Sequence, residues 1–248
     1  MKKGQVTIFI ILAIIVVVGV IGSMMFLGDR EADTATSINP KQVVQKCVGD
    51  AVEKSVEKML YNGGQRIPSH AIMYQGDEYN YLCYQADWYL SGYNLHPMLE
   101  HSIEDEIRED TKVEVQSCFD RMKEDFEDRG FDISEGKLNY SIDLLPGQIK
   151  INLNKRMNFV KGGSSQSFES FDAKILSPIY ELVRIVREIV NGEAQYCYFE
   201  YNGYMLLYPE YNIKRIDYSD SKIYTVTDRR TGEEFRFAVR SCAFAPGI

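Results

Sequence analysis

The chain has 248 residues, a formal net charge of −8 and an ordinary hydrophobic fraction of 45%. An acidic surface repels phosphate backbones, so composition argues against a nucleic-acid partner. The hydrophobic fraction predicts a packed core, and the length allows one large or two small domains beyond any targeting segment.

An apolar segment dominates the amino-terminal region. Residues 6–27 contain no Asp, Glu, Lys or Arg, and as a helix they would span about 33 Å, enough to cross a bilayer core. Lys2 and Lys3 precede the segment, whereas Asp29 and Glu31 follow it. The positive-inside tendency then keeps the amino terminus cytoplasmic. We therefore predict a single-pass cell-membrane protein with a transmembrane helix at 5–28 and an extracellular carboxy-terminal domain.

The residues before the apolar segment read Lys2-Lys3-Gly4-Gln5. This junction resembles the class III signal peptides of archaeal type IV pilin-like proteins. The resemblance implies a leader at 1–4, removed by a leader peptidase between Gly4 and Gln5, with the apolar helix retained. Many pilins carry Glu at mature position five, where this chain has Phe9, so the resemblance supports cleavage more than filament assembly. A cleaved secretory peptide and an uncleaved anchor are the alternatives.

Beyond a polar stalk at 29–39, periodicity predicts an α+β domain at 40–248, with a possible subdivision near 130 or 165. Apolar residues at three- and four-residue steps predict helices at 40–60, from about 94 to 130, and near 179–190. Alternating residues predict an antiparallel β-meander at 137–161, with residues 162–165 as a loop. The end is strand-rich, with strands expected at 194–199, 204–208, 213–218, 222–228 and 234–241. The order of these elements loosely resembles that of exported, uncharacterised proteins of small-genome archaea.

Five cysteines fall in the exported part, where disulfides can persist. Two bridges and one remaining thiol allow fifteen arrangements. Cys47 and Cys118 each lie on the apolar face of a predicted helix, and Cys197 and Cys242 lie near neighbouring predicted strands, so we favour these two pairs. This pairing leaves Cys83 without an assigned role; the alternative is that some cysteines are simply buried thiols.

The chain is rich in tyrosine, with 17 residues. Tyrosine combines a large apolar ring with a polar tip, which suits interfaces. A dense tract between Ile67 and Tyr93 therefore predicts a binding surface for a surface protein or a glycan, although strands also favour tyrosine. The candidate residues are Tyr74, Tyr79, Tyr81, Tyr84, Trp88, Tyr89 and Tyr93.

Motifs for catalysis are sparse. His101, Glu104 and Asp105 share one helical turn, a spacing that could hold a metal ion, but no His-Glu-x-x-His pattern accompanies them. An acidic helix that carries a histidine by chance is the simpler interpretation. We expect neither a metal nor another cofactor.

The triplet Asn139-Tyr140-Ser141 is an acceptor sequence for N-glycosylation. Such triplets also arise by chance, and this one lies in a predicted strand. For function, we expect a membrane-anchored cell-surface protein with a non-catalytic binding or scaffold role, including self-association as a filament subunit. The alternatives are an anchored metal-assisted hydrolase and a ligand-binding receptor that uses the tyrosine-rich tract.

Overall fold

The computed structural model describes residues 39–87, 93–94 and 100–240, together with the isolated Val17; for 93–94 it describes only the backbone. The helices within these ranges are α1 (Pro40–Tyr61), α2 (Glu100–Asp128), α3 (Ile179–Tyr196) and α4 (Tyr201–Leu207). The strands are β1 (Ala71–Tyr74), β2 (Asp77–Tyr84), β3 (Tyr93–Asn94), β4 (Asp132–Glu135), β5 (Asn139–Leu145), β6 (Gln148–Lys161), β7 (Ser164–Leu176), β8 (Tyr211–Tyr218), β9 (Ser221–Asp228) and β10 (Glu234–Arg240). The predicted α+β class is confirmed.

The predicted leader, membrane helix and stalk lie outside the described residues, apart from Val17 and Asn39. In the part of the chain that the structure describes, no helix is both long and apolar enough to cross a membrane. Contacts group Pro40–Ile248 into one compact unit.

The first sheet combines strands from both ends of this unit, in the order β1-β2-β10-β9-β8, with β3 also paired to β2. Strands β2 and β10 pair in parallel, and all the other pairings in this sheet are antiparallel. Phe235, Phe237 and Val239 alternate along β10 and are fully buried, so one face of the sheet lies on the core. The sheet is therefore mixed; sequence analysis predicted strands in these regions but not how they pair.

The second sheet is built around β6, which pairs with β7 along one edge and with β5 and β4 along the other, all antiparallel. We predicted three meander strands at 137–144, 148–154 and 157–161. The last two are instead one strand, β6, with a bulge between Asn154 and Met157, so 139–161 forms a two-stranded hairpin. Gly162 and Gly163 have φ of 57° and 82°, which fits the two-residue turn that joins long hairpin strands. Residues 162–165 were predicted as a loop, but Ser164 and Ser165 already belong to β7, a strand that periodicity did not reveal.

The helices α1 and α3 supply buried apolar faces to the core. Along α1, Val44, Val48 and Val52 recur every four residues and are fully buried; the helix contacts α2, β7 and β10. The α3 helix packs on β9, β10 and β2, with its own apolar stripe buried. Residues 194–199 and 204–208, predicted as strands, instead fall at the end of α3 and within α4. Residues 194–196 extend α3, whose apolar stripe is buried. In α4, the Glu200 carboxylate caps the first turn by accepting a hydrogen bond from the Gly203 N–H.

The disulfide prediction is half correct. Cys47 on α1 and Cys118 on α2 are joined, with Cα atoms 5.8 Å apart. The pairing of Cys197 with Cys242 is wrong, because Cys197 has its sulfur outside any disulfide. Cys197 is not on a strand; it follows α3 in a left-handed conformation, with φ of 55°. Cys83, which had no assigned role, is disulfide-bonded, and Cys242, the one remaining cysteine, lies outside the described residues.

Candidate binding surface

The tyrosines of β2 share one face because the strand is irregular. Tyr81 pairs with Ala238, but the next partners are Cys83 with Val239 and Tyr84 with Arg240. This register shift inserts one extra residue in β2, so Tyr84 returns to the face that Tyr81 occupies. The ring centroids of Tyr81 and Tyr84 are accordingly 5.1 Å apart.

Further aromatic side chains extend this cluster. Tyr74 lies against Tyr79 at 6.3 Å and against Tyr218 of β8 at 5.0 Å, both edge to face. His70 lies 5.9 Å from Tyr84. Such aromatic pairs contribute roughly 0.5–1.5 kcal/mol beyond the burial of their area. The tyrosine rings come from β1, β2 and β8, and β8 is distant in the sequence from the β1–β2 hairpin.

Burial divides the predicted tyrosines into two groups. Tyr79 and Tyr81 are only 8% and 7% exposed and pack with Ile223 and Ala238, so they support the surface from beneath. Tyr74 and Tyr84 are half-buried, and Tyr218 is 43% exposed. Trp88 and Tyr89 lie outside the described residues, and Tyr93 is described only as backbone in β3.

Charged groups border the rings. Arg240 lies over the Tyr84 ring at 5.2 Å and donates a 2.8 Å hydrogen bond to its hydroxyl. The same guanidinium pairs with Asp220 at 2.7 Å. Sequence analysis missed Tyr218, Arg240 and Asp220. The one signal that the sequence offers for them is their position at or beside the ends of the predicted strands 213–218, 222–228 and 234–241. We call Tyr74, Tyr84, Tyr218, His70, Arg240 and Asp220 the tyrosine face.

The supporting tyrosines predict a loss of stability at alkaline pH. Burial raises the pKa of Tyr79 and of Tyr81, although a hydrogen bond with Ser221 and the charge of Arg240 partly offset the shift at Tyr81. The folded state therefore keeps these protons at pH values where the unfolded chain releases them. Below a pH of about 10, these two phenols are protonated in both the folded and the unfolded chain, so they do not make stability depend on pH. Above it, the unfolded chain releases their protons first, and the free energy of unfolding falls as pH rises.

We expect Tyr81→Phe to make this fall shallower, because one raised phenol no longer titrates. Urea unfolding of the detergent-solubilised chain at about pH 9 and about pH 11 measures the difference. Equal slopes for Tyr81→Phe and the unchanged chain would contradict this expectation.

The metal hypothesis receives no support. Glu104 accepts a 2.8 Å hydrogen bond from the Leu144 backbone N–H, and Asp105 pairs with Arg108 at 2.9 Å. Their carboxylates are thus committed to different partners, while His101 is exposed. Among the described residues, no group of three or more His, Cys, Asp or Glu side chains could hold a metal ion.

A buried ionic cluster lies under the core face of the first sheet, and sequence analysis did not find it. Glu193 of α3 is fully buried; it accepts hydrogen bonds from Tyr224 and Lys222 of β9. The Lys222 ammonium also donates to the Cys197 carbonyl. Burial and the Glu193 carboxylate raise the pKa of Tyr224 well above its usual range. The cluster fixes the end of α3 against β9.

The described residues thus offer an aromatic and charged surface on the first sheet, and no constellation of a nucleophile with its base stands out beside it. Comparison with protein-family models, with curated proteins and with solved structures finds no match for this chain.

Proposed function

We propose that the chain is a membrane-anchored extracytoplasmic protein whose α+β domain has a non-catalytic binding or scaffold role. The observation that carries this proposal is the disulfide between Cys47 and Cys118, together with the bonded state of Cys83. Disulfides form and persist mainly in oxidising compartments. The charge pattern around residues 6–27 supports the same placement, with the domain outside and the amino terminus inside.

The tyrosine face supports a binding role. Its partly exposed rings are already held in place by ring contacts and by the Arg240–Asp220 pair, so a partner would immobilise few additional side chains. Rigid aromatic anchors with an adjacent arginine are typical of interface hot spots. A neighbouring surface protein, a second copy of the chain, or a glycan would each suit this combination of rings and charges.

Topology is the first test. In cells that express the full chain, an external protease should degrade the domain that begins at Pro40, and mass spectrometry should find Gln5 as the first residue. A protected domain would contradict the extracytoplasmic placement. An intact Met1 with a degraded domain would contradict only the pilin-like leader and leave the plain anchor.

The binding role is tested on the exposed rings. We expect Tyr74→Ser with Tyr218→Ser to reduce the yield of cross-linked complexes on intact cells, because hot-spot tyrosines contribute about 2 kcal/mol, or roughly 30-fold in affinity. Tyr196→Ser is the matched control, since Tyr196 is 70% exposed and lies on α3, away from this surface. Equal losses in the two variants would mean that the tyrosine face is not the contact.

A further inference from the structure

We propose that Asn139 carries an N-linked glycan. The proposal rests on the extracytoplasmic placement proposed above and goes beyond it, because it assigns a covalent modification to one side chain. Asn139-Tyr140-Ser141 is the only acceptor triplet in the sequence, and the structure places both of its reactive residues at the surface: Asn139 and Ser141 are exposed.

The local backbone separates these residues from the core. Asn139 begins β5 and pairs with Asn154 of β6. Tyr140 points the other way: its hydroxyl donates a 2.6 Å hydrogen bond to the Arg108 carbonyl on α2. Because side chains alternate along a strand, anchoring Tyr140 against α2 directs Asn139 and Ser141 to the opposite, solvent side.

The surroundings leave room for sugars. Asn139 pairs with Asn154 of β6, which is exposed on the same face of the sheet. Ser141 pairs with Asn152, whose amide donates a 3.2 Å hydrogen bond to the Ser141 hydroxyl. This face is therefore polar and open, and a sugar bonded to Asn139 would extend into solvent with no core side chain to displace.

The modification needs an activated oligosaccharide, which a lipid-linked sugar phosphate supplies. The Asn139 Nδ2 atom loses one proton and bonds to the anomeric carbon. The bond between that carbon and the phosphate oxygen breaks, and the lipid phosphate leaves with the electron pair. The amide carbon–nitrogen bond of Asn139 is kept, so the chain loses one N–H and gains the sugar.

The test uses the full chain produced in a eukaryotic secretory host. Trypsin should release peptide 138–150, which contains the single triplet. We expect most of this peptide to carry added sugar mass, and enzymatic removal of the glycan to leave Asp at position 139. Asn139→Gln and Ser141→Ala should abolish the added mass, whereas Ser141→Thr should retain it.

Asn154→Gln is the matched control, because Asn154 is an exposed asparagine on the paired strand and is followed by no hydroxyl residue two positions later. It should leave the added mass unchanged. An unmodified peptide 138–150 would overturn the glycan proposal. The Cys47–Cys118 peptides in the same digest then separate the two proposals: a formed disulfide leaves the extracytoplasmic placement standing, whereas reduced cysteines mean that it fails as well.

Discussion

Replacing both Cys47 and Cys118 by alanine is expected to lower the free energy of unfolding by about 4 kcal/mol. The disulfide joins residues 71 positions apart, and closing a loop of that length removes much conformational entropy from the unfolded chain. It also ties α1 to α2, whose packed faces contribute much of the core. Urea denaturation of the full chain in detergent, followed by circular dichroism, measures the change.

Cys197→Ala is the matched control, because Cys197 takes part in no disulfide and lies at the end of α3. It should cost much less than the paired change. If the two variants unfold at the same urea concentration, the Cys47–Cys118 link does not stabilise the domain.

Lys222→Met is expected to cost about 3–5 kcal/mol, the range for removing one member of a buried ion pair. Glu193 is fully buried, so the loss of the Lys222 ammonium leaves its carboxylate in the core without that cation, with the Tyr224 hydroxyl still donating to it. The cost arises from the uncompensated charge and not from lost packing, since methionine retains most of the lysine stem.

A second substitution identifies that cause. Adding Glu193→Gln to Lys222→Met removes the buried charge, so the double variant should be more stable than Lys222→Met alone. Lys214→Met is the matched control because Lys214 is an exposed lysine on the neighbouring strand β8; it should change stability by less than about 0.5 kcal/mol. A Lys222→Met variant as stable as Lys214→Met would contradict the role given to the ion pair. Thermal and urea unfolding of the four chains provide the measurements.

Local patterns predicted three of the four described helices, missed α4, and predicted the sheets only in part. The valines of α1 recur at helical steps, and the structure buries them; this regular face also led to the correct pairing of Cys47 with Cys118. Strand patterns carry no information on which strands pair. The parallel pairing of β2 with β10 depends on tertiary contacts, and so does the mixed character of the first sheet.

The candidate surface was less predictable than the fold. The composition around Tyr74–Tyr84 identified the right tract, but two of its tyrosines are buried, and Tyr218 and Arg240 join it from distant strands. A one-residue bulge decides on which face Tyr84 lies, and no residue type marks that bulge. The Glu193 cluster was unpredictable for the same reason, because its partners meet only through the packing of α3 on β9.

The place of β10 in the first sheet also bears on how the protein folds as it is made. This strand is the last described element, yet it lies between β2, from the start of the domain, and β9. Contacts between distant parts of a chain slow folding. During synthesis from the amino terminus, α1, α2 and the second sheet can assemble while β2 still lacks its neighbour β10. The first sheet, and with it the tyrosine face, is completed only after β10 has been synthesised, so a chain interrupted before Glu234 would lack Arg240 and the pairing that joins β2 to β9.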